Sequence, residues 1–65
     1  MRLEVNGKPV EAKSTNLADL LAELEYGDRK VATAVNRDFV RAADRAKTTL
    51  REGDAVEVVV PRQGG

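Results

Sequence analysis

The chain opens with an alternation of apolar and polar residues. Residues 1–5, MRLEV, place Met, Leu and Val on one face and Arg and Glu on the other, which is the period of a half-buried strand. The pair Asn6–Gly7 follows, and both residues tolerate the positive φ angles of a tight hairpin turn. Residues 9–13, PVEAK, return as a second strand. Because Pro9 has no amide hydrogen to donate, this strand is predicted to lie at a sheet edge.

The pattern then changes to a helical period. Four leucines at spacings of three and four residues form one apolar stripe, which predicts a helix over 17–26. Asn16 is the expected N-cap, and Asp19 lies in the first turn, where a negative charge is favourable. Gly27 is the expected residue just beyond the helix end. The leucines of the stripe are Leu17, Leu20, Leu21 and Leu24.

Three further segments have strand character. Residues 31–36, VATAVN, predict a buried strand, a turn follows at 36–38, and Phe39 and Val40 begin a short return strand. Residues 51–54, REGD, predict a tight turn that leads to a last strand over 55–60, AVEVVV. In that strand the alternation places Val56, Val58 and Val60 on one face and Glu57 and Val59 on the other.

Residues 41–49, RAADRAKTT, fit either a short helix or an irregular crossover, and Leu50 is the expected apolar anchor after them. With strands separated from one helix, the order of elements predicts an α+β fold. One helix packs on a mixed sheet of four or five strands, and the first and last strands lie side by side. The domain is predicted to span 1–60, with a flexible tail at 61–65.

The amino-acid composition excludes several classes of functional site. The 65 residues include no Cys and no His, so disulfides, a zinc site of the usual ligands and a Cys–His or Ser–His–Asp centre are excluded. The 11 basic and 11 acidic residues give zero net charge, and the aromatic residues are one Tyr and one Phe, which argues against nucleic-acid binding. No apolar run approaches membrane-spanning length, and a cytoplasmic protein without a resident cofactor or metal is expected.

The charged side chains of the body are predicted to be solvated. The helix buries its leucine stripe, so its acids face water and form no acid–base pair; Glu52 and Asp54 are turn residues. A mild basic cluster, interleaved with acids, is either solvated charge or a docking patch for an acidic partner. The helix acids are Asp19, Glu23, Glu25 and Asp28, and the basic cluster is Arg41, Arg45, Lys47 and Arg51.

The sequence ends PRQGG directly after the last strand. Glycines add no order to a fold, but they are thin enough to enter a narrow channel. Five extended residues reach about 16–18 Å, so 61–65 could enter a partner's active site while the body stays outside. The group they carry is the carboxylate of Gly65, an anion at neutral pH that must be activated before it can react.

Taken together, these segments resemble the ubiquitin-like β-grasp proteins, and among them the ThiS family, the bacterial sulfur carriers of thiamine biosynthesis. The resemblance spans the chain and rests on VNG, NLADLLAEL, VATAVNRDFV, LREGDAVEVV and the terminal GG. The family often has VPR after the fourth strand and an aromatic residue soon afterwards. Here that stretch is VRAADRAKTT, which departs from the pattern in a segment that could contact partners.

The resemblance implies a carrier that is not itself an enzyme and is monomeric when free. A ThiF-like enzyme adenylates the carboxylate of Gly65 with ATP, a cysteine desulfurase relay supplies sulfur, and the resulting thiocarboxylate serves a ThiG-like thiazole synthase. Gly64 keeps the tail thin. The expected partner contacts are Val59, Pro61, Arg62 and Gln63, with Val59 on the sheet face opposite the helix.

Three alternatives stay open at this point. The small subunit of molybdopterin synthase is also a β-grasp thiocarboxylate carrier, although its members tend to be longer and richer in aromatic residues. A protein modifier would use the same activation to form isopeptide bonds through Gly65. A β-grasp binding module would use neither, and its glycines would be incidental.

Overall fold

The computed structural model describes residues 1–61, and the predicted tail residues 62–65 lie outside the described part. Within residues 1–61, five strands, one α-helix and one 3₁₀ helix follow each other. In chain order they are β1 (Arg2–Val5), β2 (Lys8–Glu11), α1 (Leu17–Glu23), β3 (Ala32–Val35), β4 (Asp38–Val40), the 3₁₀ helix (Ala42–Lys47) and β5 (Ala55–Val59).

The strands form one mixed sheet in the order β2-β1-β5-β3-β4. β1 and β5 run parallel, with Glu4 opposite Ala55, so the predicted adjacency of the first and last strands is confirmed. The other pairs are antiparallel. β2 lies at an edge, as Pro9 predicts, and β5 lies at the centre. This is the predicted α+β arrangement of a β-grasp fold.

Helix α1 packs its leucine stripe against one face of the sheet. Leu17 and Leu20 are fully buried, and the core also contains Leu3 of β1 and Val56 of β5. Leu50 is buried as predicted, and its amide donates to the carbonyl of Thr15 just before the helix. The core therefore lies between the helix and one face of the sheet, and the other face has no covering layer in residues 1–61.

The beginning of α1 is as predicted and its end is not. The side chain of Asn16 accepts a hydrogen bond of 2.8 Å from the amide of Asp19, which confirms the N-cap. The helix stops at Glu23 rather than at 26. The amide of Glu25 donates to the carbonyl of Ala22, and that of Tyr26 donates to Leu21. This pair of bonds is a Schellman motif.

Glu25, and not Gly27, is the first left-handed residue after the helix, with φ of 66°. The motif brings Tyr26 back against the core near Leu21. Burial of this aromatic side chain is the physical reason for the earlier end, because a helix continued to 26 would carry Tyr26 around the helix axis instead. Gly27 also has positive φ, but in the turn that follows.

Two asparagines, one in the turn after β1 and one in the turn after β3, form hydrogen bonds with β5. Asn6 follows β1, and its side-chain amide donates to the carbonyl of Val58 and accepts from its amide. Asn36 follows β3 in the same left-handed conformation and accepts a hydrogen bond from the amide of Ala55. The central strand is thus fixed near its beginning and near its end.

Residues 41–49 adopt the short-helix alternative, as a 3₁₀ helix at Ala42–Lys47. Arg45 attaches this helix to β3: its guanidinium donates to the carbonyl of Val31 at 2.6 Å and to the hydroxyl of Thr33 at 3.1 Å. The hydroxyl of Thr33, which is buried, donates in turn to the carbonyl of Val40. These bonds connect three consecutive elements of the chain.

The strand ends differ slightly from the predictions. β5 ends at Val59 and not at the predicted residue 60, so Val60 lies past the strand and is 48% exposed, whereas Val56 and Val58 are buried. Past the last pairing of β5 with Ala32, Val60 has no ladder to hold it on the core side. In residues 1–61, no helix is long and apolar enough to cross a membrane.

Candidate docking face

The face of the sheet opposite α1 carries an apolar patch. In β5 the side chains alternate, with Val56 and Val58 buried under the helix and Val59 exposed on the other face. β3 contributes Ala32 opposite Val59 and Ala34 opposite Glu57, while β4 contributes Phe39 opposite Ala34. We call Ala32, Ala34, Phe39 and Val59 the apolar patch.

Two large side chains dominate this patch. Phe39 is 71% exposed and Val59 is 59% exposed, whereas the two alanines between them are small. The arrangement forms a shallow groove of about 170 Å³ with Glu57 on its border. Since neighbouring exposed apolar side chains that line one groove form a contiguous patch, and such patches often mark interaction sites, we treat this patch as a candidate docking site.

The sequence prediction located Val59 on this face, and the structure confirms that position. Phe39 was missed as a site residue. The sequence shows that Phe39 alternates with Val40, but only the structure shows that Val40 is the one that packs against the core and that Phe39 lies opposite Ala34. One of the two aromatic residues of the chain is therefore left on the surface.

The chain leaves the sheet beside this patch. Val60 and Pro61 follow β5 and are exposed, and together with Arg29 and Lys30 they line a second groove. Arg29 and Lys30 precede β3, which runs antiparallel to β5, so two basic side chains lie where the chain exits. The predicted site residues Arg62, Gln63, Gly64 and Gly65 lie outside the described residues.

The acids of the helix form no catalytic arrangement in residues 1–61, but one of them has a structural role that the sequence did not reveal. The exposed carboxylate of Glu23 accepts hydrogen bonds from the amides of Lys13 and Ser14 and from the Ser14 hydroxyl. These bonds lower the pKa of Glu23, with the Ser14 hydroxyl as the largest cause. Glu23 thus fixes the link between β2 and α1.

The predicted basic cluster does not act as one surface. Arg41 forms an ion pair with Asp44 at 3.0 Å, and Arg45 is used in the bonds to β3 described above. Arg51 lies in the turn before β5, where its amide donates to Asp54. With two of its four members engaged within the fold, the cluster is a weaker docking candidate than the apolar patch.

No group of acidic residues in the described part of the chain has the geometry of a metal site. What the described residues bring together is a docking face without acid–base machinery. The apolar patch, the exit of the chain at Pro61 and two basic side chains beside that exit lie on or next to one end of the sheet.

Comparison of the sequence and the structure with known proteins identifies the family. The model of the ThiS family matches residues 3–65. A curated relative, the sulfur carrier protein ThiS of Thermus thermophilus, is 33% identical over 61 residues, which cover 94% of this chain and 95% of the relative.

Two solved structures of a thiamine biosynthesis protein from Geobacter metallireducens have the same fold. The crystal structure, of a protein named ThiS, has a TM-score of 0.85 at 32% identity, and each chain is covered completely. The solution structure has a TM-score of 0.80 at 32% identity and covers all of this chain and 88% of that one. The fold, the match along almost the whole length and the relatives agree: this chain belongs to the ThiS family.

Proposed function

We propose that this chain carries sulfur for thiamine biosynthesis on the carboxylate of Gly65. The observation that supports the proposal best is the apolar patch beside the exit of β5, which gives a partner a surface to hold while it acts on the end of the chain. The family match extends through residue 65, and the curated relative is a sulfur carrier.

The chemistry begins with a carboxylate that is a poor electrophile at neutral pH, because its pKa is about 3.3–3.7. A carboxylate oxygen of Gly65 attacks the α-phosphorus of ATP, and pyrophosphate leaves. The terminal sulfur of a persulfide then attacks the carbonyl carbon, and AMP leaves. A second thiol then attacks the cysteine sulfur of the resulting acyl disulfide: a new disulfide forms between that thiol and the cysteine, the acyl S–S bond breaks, and Gly65 leaves as the thiocarboxylate.

The partners in this scheme are a ThiF-like adenylating enzyme, a cysteine desulfurase relay and a ThiG-like thiazole synthase. Each must admit the end of the chain to its active site, and the thin residue Gly64 allows that entry. In our proposal Val59 and Pro61 contact the partner's surface together with Phe39, and Arg62 and Gln63 contact the channel. In this scheme the chain acts as a co-substrate of these enzymes, as a monomer in the cytoplasm.

The thiazole pathway is preferred over molybdopterin synthesis because the matching family and relatives belong to thiamine biosynthesis. A protein modifier would share the activation step but form an amide with a lysine. A binding module would not be activated at all. These alternatives therefore differ in what becomes of Gly65, which a mass measurement can follow.

The test is the intact mass of the chain after co-expression with a ThiF-like enzyme and a sulfur donor. We expect a gain equal to the exchange of one oxygen for sulfur, and we expect the gain to disappear when Gly65 is deleted. A mass that stays unchanged with active partner enzymes, and without an AMP adduct, would refute the carrier function.

The patch is tested in the same system with Phe39→Ala and Val59→Ala. Both side chains are exposed, so the variants should fold normally, while conversion to the thiocarboxylate slows. Lys47→Ala is the matched control, since it removes an exposed long side chain from the 3₁₀ helix in the other layer. Equal conversion of all three variants would show that the patch does not contact the activating enzyme.

A further inference from the structure

A single carboxylate borders the apolar patch at the centre of the sheet. Glu57 occupies the middle of β5, the central strand, and its side chain lies on the open face. Its neighbours on that face are Ala55 and Val59 along the strand and Ala34 across it. A polar residue is usual on the solvated face of a sheet, but nothing in the packing of residues 1–61 requires a carboxylate at this position.

Glu57 also has no structural task within residues 1–61. Six other acids of the described chain accept hydrogen bonds from the backbone or side chains of the fold, whereas Glu57, like the four remaining acids, accepts none and forms no ion pair there. Arg37 lines a neighbouring groove with Glu4 and Glu57, but none of these charges is joined in an ion pair. The six engaged acids are Glu11, Asp19, Glu23, Asp44, Glu52 and Asp54.

Charge of the opposite sign lies at the other end of the patch. Arg29 and Lys30 line the groove at Val60 and Pro61, where the chain leaves the sheet. Along the direction of β5, the chain thus passes from the carboxylate of Glu57 through the apolar Val59 to a separate groove that contains a basic pair. A face with this polarity distinguishes the two orientations in which a partner could cover it.

Covering the patch removes water from Glu57. A buried carboxylate without a counter-charge is costly, while a paired one gives specificity and orientation. Arg37 lines the same groove as Glu57 but forms no ion pair with it in residues 1–61, so a partner that binds the apolar patch compensates this charge best by placing a basic side chain against Glu57. By the same argument, acidic side chains are required opposite Arg29 and Lys30.

We propose that Glu57 is a specificity-determining contact for the activating enzyme. That enzyme carries an Arg or Lys opposite Glu57 and acidic side chains at the mouth of its channel, facing Arg29 and Lys30. The two charged contacts fix one orientation of the carrier, in which Pro61 points to the nucleotide site. This inference rests on the proposed function, and it concerns how the partner is recognised rather than what is done to Gly65.

The experiment measures ATP–pyrophosphate exchange by the ThiF-like enzyme, with the carrier as the varied substrate. Glu57→Gln removes the charge and keeps the shape, and Glu57→Lys reverses the charge. We expect KM to rise roughly threefold for the first variant and about tenfold or more for the second, because like charges across an interface are strongly unfavourable. The kcat should not change, since Gly65 is untouched.

Two controls accompany these variants. Glu25→Gln makes the same chemical change at an exposed carboxylate just past the end of α1, in the other layer, and should leave KM unchanged. Raising the salt to about 0.5 M should reduce the difference between wild type and Glu57→Gln, because screening weakens exposed charge pairs.

The outcomes separate this inference from the proposed function. If the wild-type chain supports no exchange, the proposed function fails and the inference fails with it. If exchange occurs and KM is the same for Glu57→Gln, Glu57→Lys and wild type, only the inference is overturned. If KM is unchanged and sedimentation shows that Glu57→Gln dimerises, Glu57 prevents self-association instead, which also overturns the inference.

Discussion

Thr33 provides a sharp test of how the body of this protein is held together. It is 2% exposed, and it is the one buried polar residue in residues 1–61. Thr33→Val is close to isosteric and suits a strand, so strand propensity alone predicts a neutral or stabilising change. The hydrogen bonds predict the opposite, because the hydroxyl both donates to Val40 and accepts from Arg45.

The magnitude follows from these two bonds. A neutral hydrogen bond contributes about 0.5–1.5 kcal/mol, and one to a charged group contributes about 1.5–3 kcal/mol. Replacing the hydroxyl by a methyl group returns about 0.8 kcal/mol of apolar burial. We therefore expect Thr33→Val to lower the free energy of unfolding by about 1.2–3.7 kcal/mol, which is roughly 5–30 °C in melting temperature for a domain of this size.

Urea unfolding followed by circular dichroism measures this loss. Thr49→Val is the matched control, since Thr49 is exposed and its side chain makes no hydrogen bond in the described chain; it should stay within about 0.5 kcal/mol of wild type. A double-mutant cycle with Arg45→Met should give a coupling energy of about 0.5–3 kcal/mol. A Thr33→Val variant as stable as wild type, with no coupling to Arg45, would refute the reasoning.

Three further predictions concern single side chains. Leu20→Ala should lower the free energy of unfolding by about 2–5 kcal/mol in urea titration, because Leu20 is fully buried; a loss under 1 kcal/mol would contradict its place in the core. Glu25→Gly should raise the free energy of unfolding by about 0.5–1 kcal/mol, because glycine adopts the left-handed φ of 66° without strain, and a lower melting temperature would argue against the Schellman end. The lowered pKa of Glu23 stabilises the fold above the ordinary value of 4.5, and this contribution is lost as the pH falls through the folded-state pKa. Glu23→Gln should therefore be less stable than wild type at pH 7 and approach it under acid, and parallel stability curves from pH 7 to pH 3 would show that the hydrogen bonds to Lys13 and Ser14 do not matter.

Much of the fold follows from local rules. The leucine period, the Asn16 cap and the alternation in β1 and β5 are properties of single segments, and each predicted the element that is present. Pro9 correctly predicted that β2 lies at a sheet edge, because proline has no amide hydrogen to donate to a neighbouring strand in any fold. The ends of elements were harder, since the end of α1 depends on where Tyr26 packs, which is a tertiary contact.

The candidate docking face was also only partly predictable from the sequence. Val59 could be assigned to the open face from the alternation of one strand, but Phe39 could not be joined to it without the register between β3 and β4. The hydrogen bond from Arg45 to Thr33 also could not be predicted, because nothing in the local sequence distinguishes this arginine from its exposed neighbours. Sequence patterns do not predict the role of a side chain when that role depends on a residue distant in the sequence.

The position of β5 has a consequence for synthesis on the ribosome. Its partners are β1, made about 50 residues earlier, and β3, and neither of them pairs with the other. Contacts between residues so far apart in sequence form late and slowly. Until Val59 has emerged, the nascent chain is a hairpin, a helix and a second hairpin with no strand to unite them. The candidate docking face and the fold are therefore completed by the same strand, and a product that stops before β5 lacks both.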